Sequence, residues 1–265
     1  MKGILWCNGV LPSDSVIDRA LRDGVPIFGV DGGADKANSM GFEVSQALGD
    51  MDSIDESSWK EKMKILPNQE MSDLSKSLQY VNSVGINEVD VVGVDGGDYG
   101  HVFGVMASMT EAPLEMRLRL HFESGVLHFS SPNNGGFSEH ILLGQKFSVF
   151  ALAPSKRTTV IGGKWKLESE ALSFSTRGLS NVGLGDLVKI SSDAPLAIFV
   201  SVNQFDSVSG SLDSINATGR VLGSLSRPIF MITARGTPRT IPIIPQAQPQ
   251  NATRRRSTIG DISNL

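Results

Sequence analysis

Gly29-Val30-Asp31-Gly32-Gly33 recurs letter for letter as Gly93-Val94-Asp95-Gly96-Gly97, each copy closing a run of β-favouring residues. The flanks differ, ADKANSMG after the first and DYGHVFGV after the second, and no other motif recurs at that offset. The pair is therefore not an internal repeat. Each copy reads as a strand end that delivers an Asp and two glycines, and the carboxyl edge of an open α/β sheet is where ligands bind. Around these ends, GILWC (3–7), PIFGVD (26–31), KILP (64–67) and VDVVGVD (89–95) read as strands. SDSVIDRALRDG reads as a helix with Ser13 as N-cap and a stop at Gly24, and SDLSKSLQYVNSVG as another, with Leu74, Leu78 and Val81 on one face and Gly85 beyond its end. Strands alternating with helices predict a mainly parallel α/β sheet over residues 1–115.

From about Glu115 the pattern changes. MRLRLHFES, GVLHFSS, KFSVFALAP, TTVIGG, ALSFSTRG, DLVKISS and LAIFVS are short alternating runs separated by Gly, Pro, Ser and Asn. They predict an antiparallel β-sandwich over 116–205. Residues 206–265 carry seven Arg against three Asp with many Ser, Thr, Pro and Gln, and read as a disordered basic tail whose RRRST is a solvated charge run.

Bulk composition narrows the function. The chain has 265 residues, 40% hydrophobic and 20% charged, and a formal net charge of −4. Nothing in the first 200 residues gathers Lys and Arg into the stripe that duplex nucleic acid requires. A single cysteine, Cys7, forms no internal disulfide. The apolar run of MKGILWCNGV is broken by Asn8 and Gly9, too short for a signal peptide, and no run approaches the roughly 18 apolar residues of a membrane span. A soluble, cytoplasmic protein with no nucleic-acid or membrane partner is expected.

Gly49-Asp50-Met51-Asp52-Ser53 is the most informative short motif. Two Asp two residues apart face one side of an extended segment and suit a hard divalent cation; equally, Asp50 and Ser53 can cap a turn. In Pro67–Leu78, Ser72 and Asp73 stand at a helix start, with Lys76 one turn on as an ion-pair partner or a phosphate contact. Acids for Mg2+ beside a helix N-terminus and a Lys are the equipment of a nucleotide phosphate site. The pairs Asn8-Gly9, Gly32-Gly33 and Gly96-Gly97 allow close backbone approach. There is no GxxxxGK[ST] loop and no GxGxxG fingerprint. In GGKWKL, Trp165 is placed in a strand, as core or as a flat platform for an aromatic ligand, and Asn181 offers both a donor and an acceptor.

In this order, Asn8-Gly9, Asp31-Gly32-Gly33-Ala34, GDMDS, PNQEMSDLSKSL, Gly96-Gly97 with His101, GGKWKL and STRGLSN, the chain resembles the thiamine pyrophosphokinase family over about residues 3–202. The resemblance implies an α/β domain followed by a β-sandwich, a homodimer binding thiamine between subunits, and transfer of the pyrophosphoryl group of ATP to the thiamine hydroxyl. It implies Mg2+ held by Asp50, Asp52 and Asp73, one of which, Asp73 or Asp52, takes the hydroxyl proton. The nucleotide side falls to Asn8, Gly9, Asp31, Gly32, Gly33, Ser53, Ser72, Lys76, Gly96, Gly97 and His101. Thiamine falls to Gln69, Trp165, Ser180 and Asn181. Two segments depart from the family pattern. The acidic stretch, commonly PDQDxTD, reads Pro67-Asn68-Gln69-Glu70-Met71-Ser72-Asp73, and the later GGRxDH reads Gly96-Gly97-Asp98-Tyr99-Gly100-His101, with Arg117 or Arg119 as the nearby cation to replace the missing Arg. Those departures keep two alternatives in play: a thiamine- or nucleotide-binding relative without catalysis, and a pyrophosphokinase for another heteroaromatic alcohol such as a pterin.

Overall fold

The computed structural model describes residues 1–50, 54 and 56–205. Asp52, Ser53 and the 206–265 segment, all singled out above, lie outside the described residues. The strands β1 (Lys2–Trp6), β2 (Ile27–Val30), β3 (Gln46–Gly49), β4 (Met63–Ile65) and β5 (Glu88–Val92) alternate with α1 (Asp14–Ala20), α2 (Gly33–Ser39), α3 (Glu56–Trp59) and α4 (Asp73–Ser83). Then α5 (Tyr99–Ser108) leads into β6 (Arg117–Phe122). Strands β6-β5-β1-β2-β3-β4 pair in parallel in that order. Burial on both faces explains the near-continuous apolar runs of β1, β2 and β5. On β1, Ile4 and Trp6 join Val16, Ala20, Ala34 and Ala37 from α1 and α2, while Leu5, with Cys7 just beyond the strand, joins Leu74, Leu78 and Val105 from α4 and α5.

The sheet does not stop at β6. Antiparallel pairing continues through β7 (Gly125–Ser130), β14 (Leu196–Phe205), β9 (Gln145–Ala151) and β12 (Asn181–Val182), giving ten strands in one sheet. A separate antiparallel sheet of β11 (Leu167–Leu172), β10 (Ser155–Ile161), β13 (Asp186–Ser192) and β8 (Phe137–Ile141) faces it. Phe137, Ile141, Val160 and Ile190 of the small sheet share a core with Phe147, Val149, Leu196 and Ile198 of the large one. This is the α/β-plus-sandwich fold expected from the sequence, with both halves built on a common sheet. No described helix is long and apolar enough to cross a membrane.

Several local expectations change. The first helix stops at Ala20, short of Gly24, and Ser13 is its N-cap position without a capping bond, because its hydroxyl and amide both go to Glu123 at 2.7 and 3.0 Å. In α4 the cap is made: Ser72 accepts from the Ser75 amide at 3.1 Å. ALSFSTRG is not one strand, since β11 ends at Leu172 and a 3-10 turn occupies Thr176–Gly178.

Candidate active site

Strand β1 lies between β2 and β5, and the chain leaves β1 toward β2 but leaves β5 toward β6. That reversal opens a crevice beyond the strand ends, where ligands bind in such sheets. Glycines let the backbones close in behind it. A Cβ on Gly33 would lie 1.9 Å from the Trp6 carbonyl oxygen, and one on Gly9 would lie 2.3 Å from that of Gly93. The Gly9 amide donates to the Gly93 carbonyl at 2.8 Å, joining the end of β1 to the second GVDGG segment.

A cleft of about 350 Å3 opens here, lined by Asn8, Asp31, Ser72, Asp73 and His101 among others. Five residues proposed from sequence thus share one cavity. Asp31 is buried with a left-handed backbone, φ 48°. Asp50 and Asp73 are brought together by Lys76, which is 5% exposed; its Nζ lies 2.8 Å from Asp73 Oδ1 and 3.8 Å from Asp50 Oδ2. The Lys76–Asp73 pair is close but off hydrogen-bond direction, so Asp73 Oδ1, like Asp50 Oδ1, is buried without a hydrogen bond among the described residues. Gln69 donates to Asp50 Oδ2 at 3.3 Å. Gly49 puts the acids on one spot: a Cβ there would meet Asp31 Cβ at 3.3 Å and Asp73 Oδ1 at 3.4 Å. Cys7 lines the cleft, but burial first, and then the Asp73 charge, push its thiol up to about 12, so it is no nucleophile at neutral pH.

The second GVDGG segment behaves differently from the first. Asp95 turns away and accepts from the Glu123 amide at 2.9 Å, and Gly96 and Gly97 are exposed without lining the cleft. Asp98, at the position of the expected Arg, caps α5 by accepting from the His101 amide at 2.9 Å, which sets His101 at the cleft. Arg119 is not a substitute cation. It is bound to Asp90 at 2.6 and 3.0 Å and to Glu88 at 2.6 Å. Arg117 lines a different cavity, with Asn134 and Phe137.

In the β half, Trp165 lies in the bend between β10 and β11 rather than in a strand, because Gly162 (φ 87°) and Gly163 carry the chain out of β10. It is 53% exposed, which removes the core reading, and the Lys164 ammonium sits 4.8 Å from its ring centre. Asn181 is buried and clamps the bend: Nδ2 donates to the Trp165 carbonyl at 2.7 Å and Oδ1 accepts from the Trp165 amide at 3.1 Å. Asn181 therefore acts on Trp165. Together with Arg177 and Leu179 they border a cavity of about 230 Å3. Ser180 has a left-handed backbone, φ 58°, and its amide donates to Ser148 at 3.0 Å.

A third cluster was not anticipated. Asp90 on β5 is 1% exposed and meets Arg119, His121 Nε2 at 2.7 Å and Lys2 Nζ at 2.7 Å. Its strand, EVDVV, gives no warning of this beyond the single acid in an apolar run.

Residues 19–121 match the family described as thiamin pyrophosphokinase, catalytic domain. The chain's structure is similar to that of the thiamine pyrophosphokinase from Bacillus subtilis, at TM-score 0.63 and 18% identity over 76% of this chain and 100% of that one. It is also similar to the enzyme from Geobacillus thermodenitrificans, at 0.62 and 19% over 78% and 99%, and to that from Candida albicans, at 0.54 and 12% over 77% and 89%. No curated protein sequence matches the chain. Residues 19–121 thus match the catalytic-domain model of the thiamine pyrophosphokinase family, on a fold similar to that of solved thiamine pyrophosphokinases.

Proposed function

We propose that the protein is a thiamine pyrophosphokinase, moving the pyrophosphoryl group of ATP onto the thiamine hydroxyl to give thiamine diphosphate and AMP. The observation that carries this reading is the pair Asp50 and Asp73, each with a buried carboxylate oxygen left without a hydrogen bond, at the crevice where the sheet's connections reverse. Hard carboxylate oxygens that lack a hydrogen bond of their own among the described residues fit Mg2+. Asp50, Asp73 and, by the resemblance, Asp52 would hold it, and the bound ion supplies neutralisation of polyphosphate charge. Positioning dominates the rest of such a transfer. Asn8, Asp31, Ser72 and His101 border the space for the nucleotide, with Gly9 and Gly33 letting the backbone close behind it. Asp73 also faces that space and takes the hydroxyl proton. Trp165, presented by the Asn181 clamp, is the platform for the thiamine ring, and a homodimer brings it to the phosphate site of a second subunit.

A second reading, a relative that binds thiamine or nucleotide without turnover, draws on Asp98 as a helix cap and on Arg119, which Asp90 and Glu88 hold and so keep from replacing the cation expected after Gly97. One experiment separates the two. AMP release from ATP and Mg2+ is followed with and without thiamine, and the product is identified by mass. Thiamine-dependent AMP with thiamine diphosphate supports the enzyme; thiamine binding by calorimetry without AMP supports the binding protein.

A further inference from the structure

Lys76 is placed where a cation bound by Asp50 and Asp73 would also have to sit. Its ammonium is almost fully buried, 2.8 Å from one carboxylate and 3.8 Å from the other. Asp31 packs its Cβ on the same point of the Gly49 backbone that Asp73 Oδ1 approaches, so a third acid lies beside the pair. Like charges so arranged repel strongly unless a cation lies between them. Lys76 cannot swing out easily, since Leu74, Ser75, Ser77 and Leu78 around it are all buried.

We infer that Lys76 is an internal counter-ion: it holds Asp50 and Asp73 at ligand spacing while no metal is bound, and a divalent cation entering the site competes with its ammonium for the same carboxylates. This rests on the metal role given to Asp50 and Asp73 above. It makes Lys76 a positioning residue for the acid pair. A lysine whose only partner is a nucleotide phosphate would not affect metal binding in the absence of nucleotide.

The test uses the full chain and Mg2+ alone. Lys76→Met keeps the length of the side chain and removes the charge. Without Mg2+ its Tm should fall, and the Mg2+-induced rise should exceed that of the wild type by roughly 3–6 °C, the size expected if apparent Mg2+ binding tightens on the order of ten-fold. Lys76→Arg, which retains the charge, should stay close to the wild-type response. A rise in Lys76→Met equal to or below that of the wild type overturns the inference. If Lys76→Met folds only when Mg2+ is present, the inference stands. If it folds in neither condition, the wild type decides: the Cε resonance of Lys76 must move as millimolar Mg2+ is added without nucleotide, and an unmoved resonance overturns it. Thiamine-dependent AMP formation by the wild type, measured alongside, keeps the two claims apart. Turnover with no enhanced Mg2+ response removes only the counter-ion role. An enhanced response without turnover removes only the activity.

Discussion

Asp90, buried in the middle of β5, and Asp73, half-buried at the start of α4, both meet cations, yet their oxygens end up differently occupied. Asp90 spends both on His121, Arg119 and Lys2. Burial alone would raise its pKa, but those hydrogen bonds outweigh it and hold the carboxyl well below the usual carboxylate range. Asp73 and Asp50 share one ammonium and keep an oxygen each without a hydrogen bond. A saturated cluster fixes strands to one another. An undersaturated one costs stability in the free protein and makes sense where a ligand completes it.

The largest expected effect tests the saturated side. Asp90→Asn takes the shared charge from Lys2 and leaves Arg119 with Glu88 alone, and should destabilise by about 3–5 kcal/mol in urea unfolding, while turnover per folded molecule stays near wild type. Loss of activity in well-folded protein would mean that this cluster is part of the machinery. On the undersaturated side, Asp73→Asn should lower AMP formation by about 100-fold or more with little change in urea midpoint. A stability loss as large as that of Asp90→Asn would erase the contrast between the clusters. Trp165→Ala, exposed and outside both clusters, should raise the thiamine KM by roughly 10-fold, in line with about 1–2 kcal/mol of ring stacking, and leave the unfolding midpoint within about 0.5 kcal/mol of wild type.

A different kind of effect concerns pH. His128 on β7 is buried, and that burial, with Arg119 nearby, lowers its pKa to about 3. Its 3.4 Å approach to Glu139 is therefore a contact of a neutral ring at pH 7. An unfolded chain binds a proton at this ring below about 6.5 while the folded chain does not, so stability is full above that pH and falls as pH drops toward 3, by at most about 1.4 kcal/mol per unit. Asp90 adds its own loss at lower pH, as protonation of the unfolded carboxyl sets in below about 4. His128→Phe should flatten the wild-type decline in unfolding free energy between pH 7 and 5, and an unchanged slope would show that His128 is accessible to protons in the folded state.

What the sequence made legible follows from how much signal each element concentrates. Apolar runs announced β1, β2 and β5, and the 3.6-residue spacing of Leu74, Leu78 and Val81 announced α4. Gln46–Gly49 is only four residues and ends in Gly, so β3 gave no such signal. The helix α2, GADKANS, is short and polar, and α5 carries Gly100 and Gly104, which weaken helix propensity, so neither stood out. At the cleft, residue types and order pointed to Asn8, Asp31, Asp50, Ser72, Asp73 and Lys76 together. The side-chain directions of Asp95 and Arg119 were not legible, because they depend on strand faces and on partners far along the chain, Glu123 for the one and Asp90 for the other. Alternating charged and apolar residues in Arg117–Phe122 look like a solvated strand face, and only the register of β5 against β6, with Asp90 opposite Arg119, makes it a buried cluster.

The ten-stranded sheet ends in β4 and β12, strands of three and two residues. Unpaired strand edges invite another chain to add to the sheet, and short edges are one way proteins avoid such aggregation. The small sheet ends in β8, which exposes Ser138, Glu139 and His140 in part or in full, and in β11, where Ser169 has φ 59° and the pairing register slips. Long strands are thus kept inside both sheets. Edges of this kind disfavour association by backbone pairing, which any extended peptide can satisfy, and leave side-chain surfaces, which can be tuned residue by residue, as the more selective route.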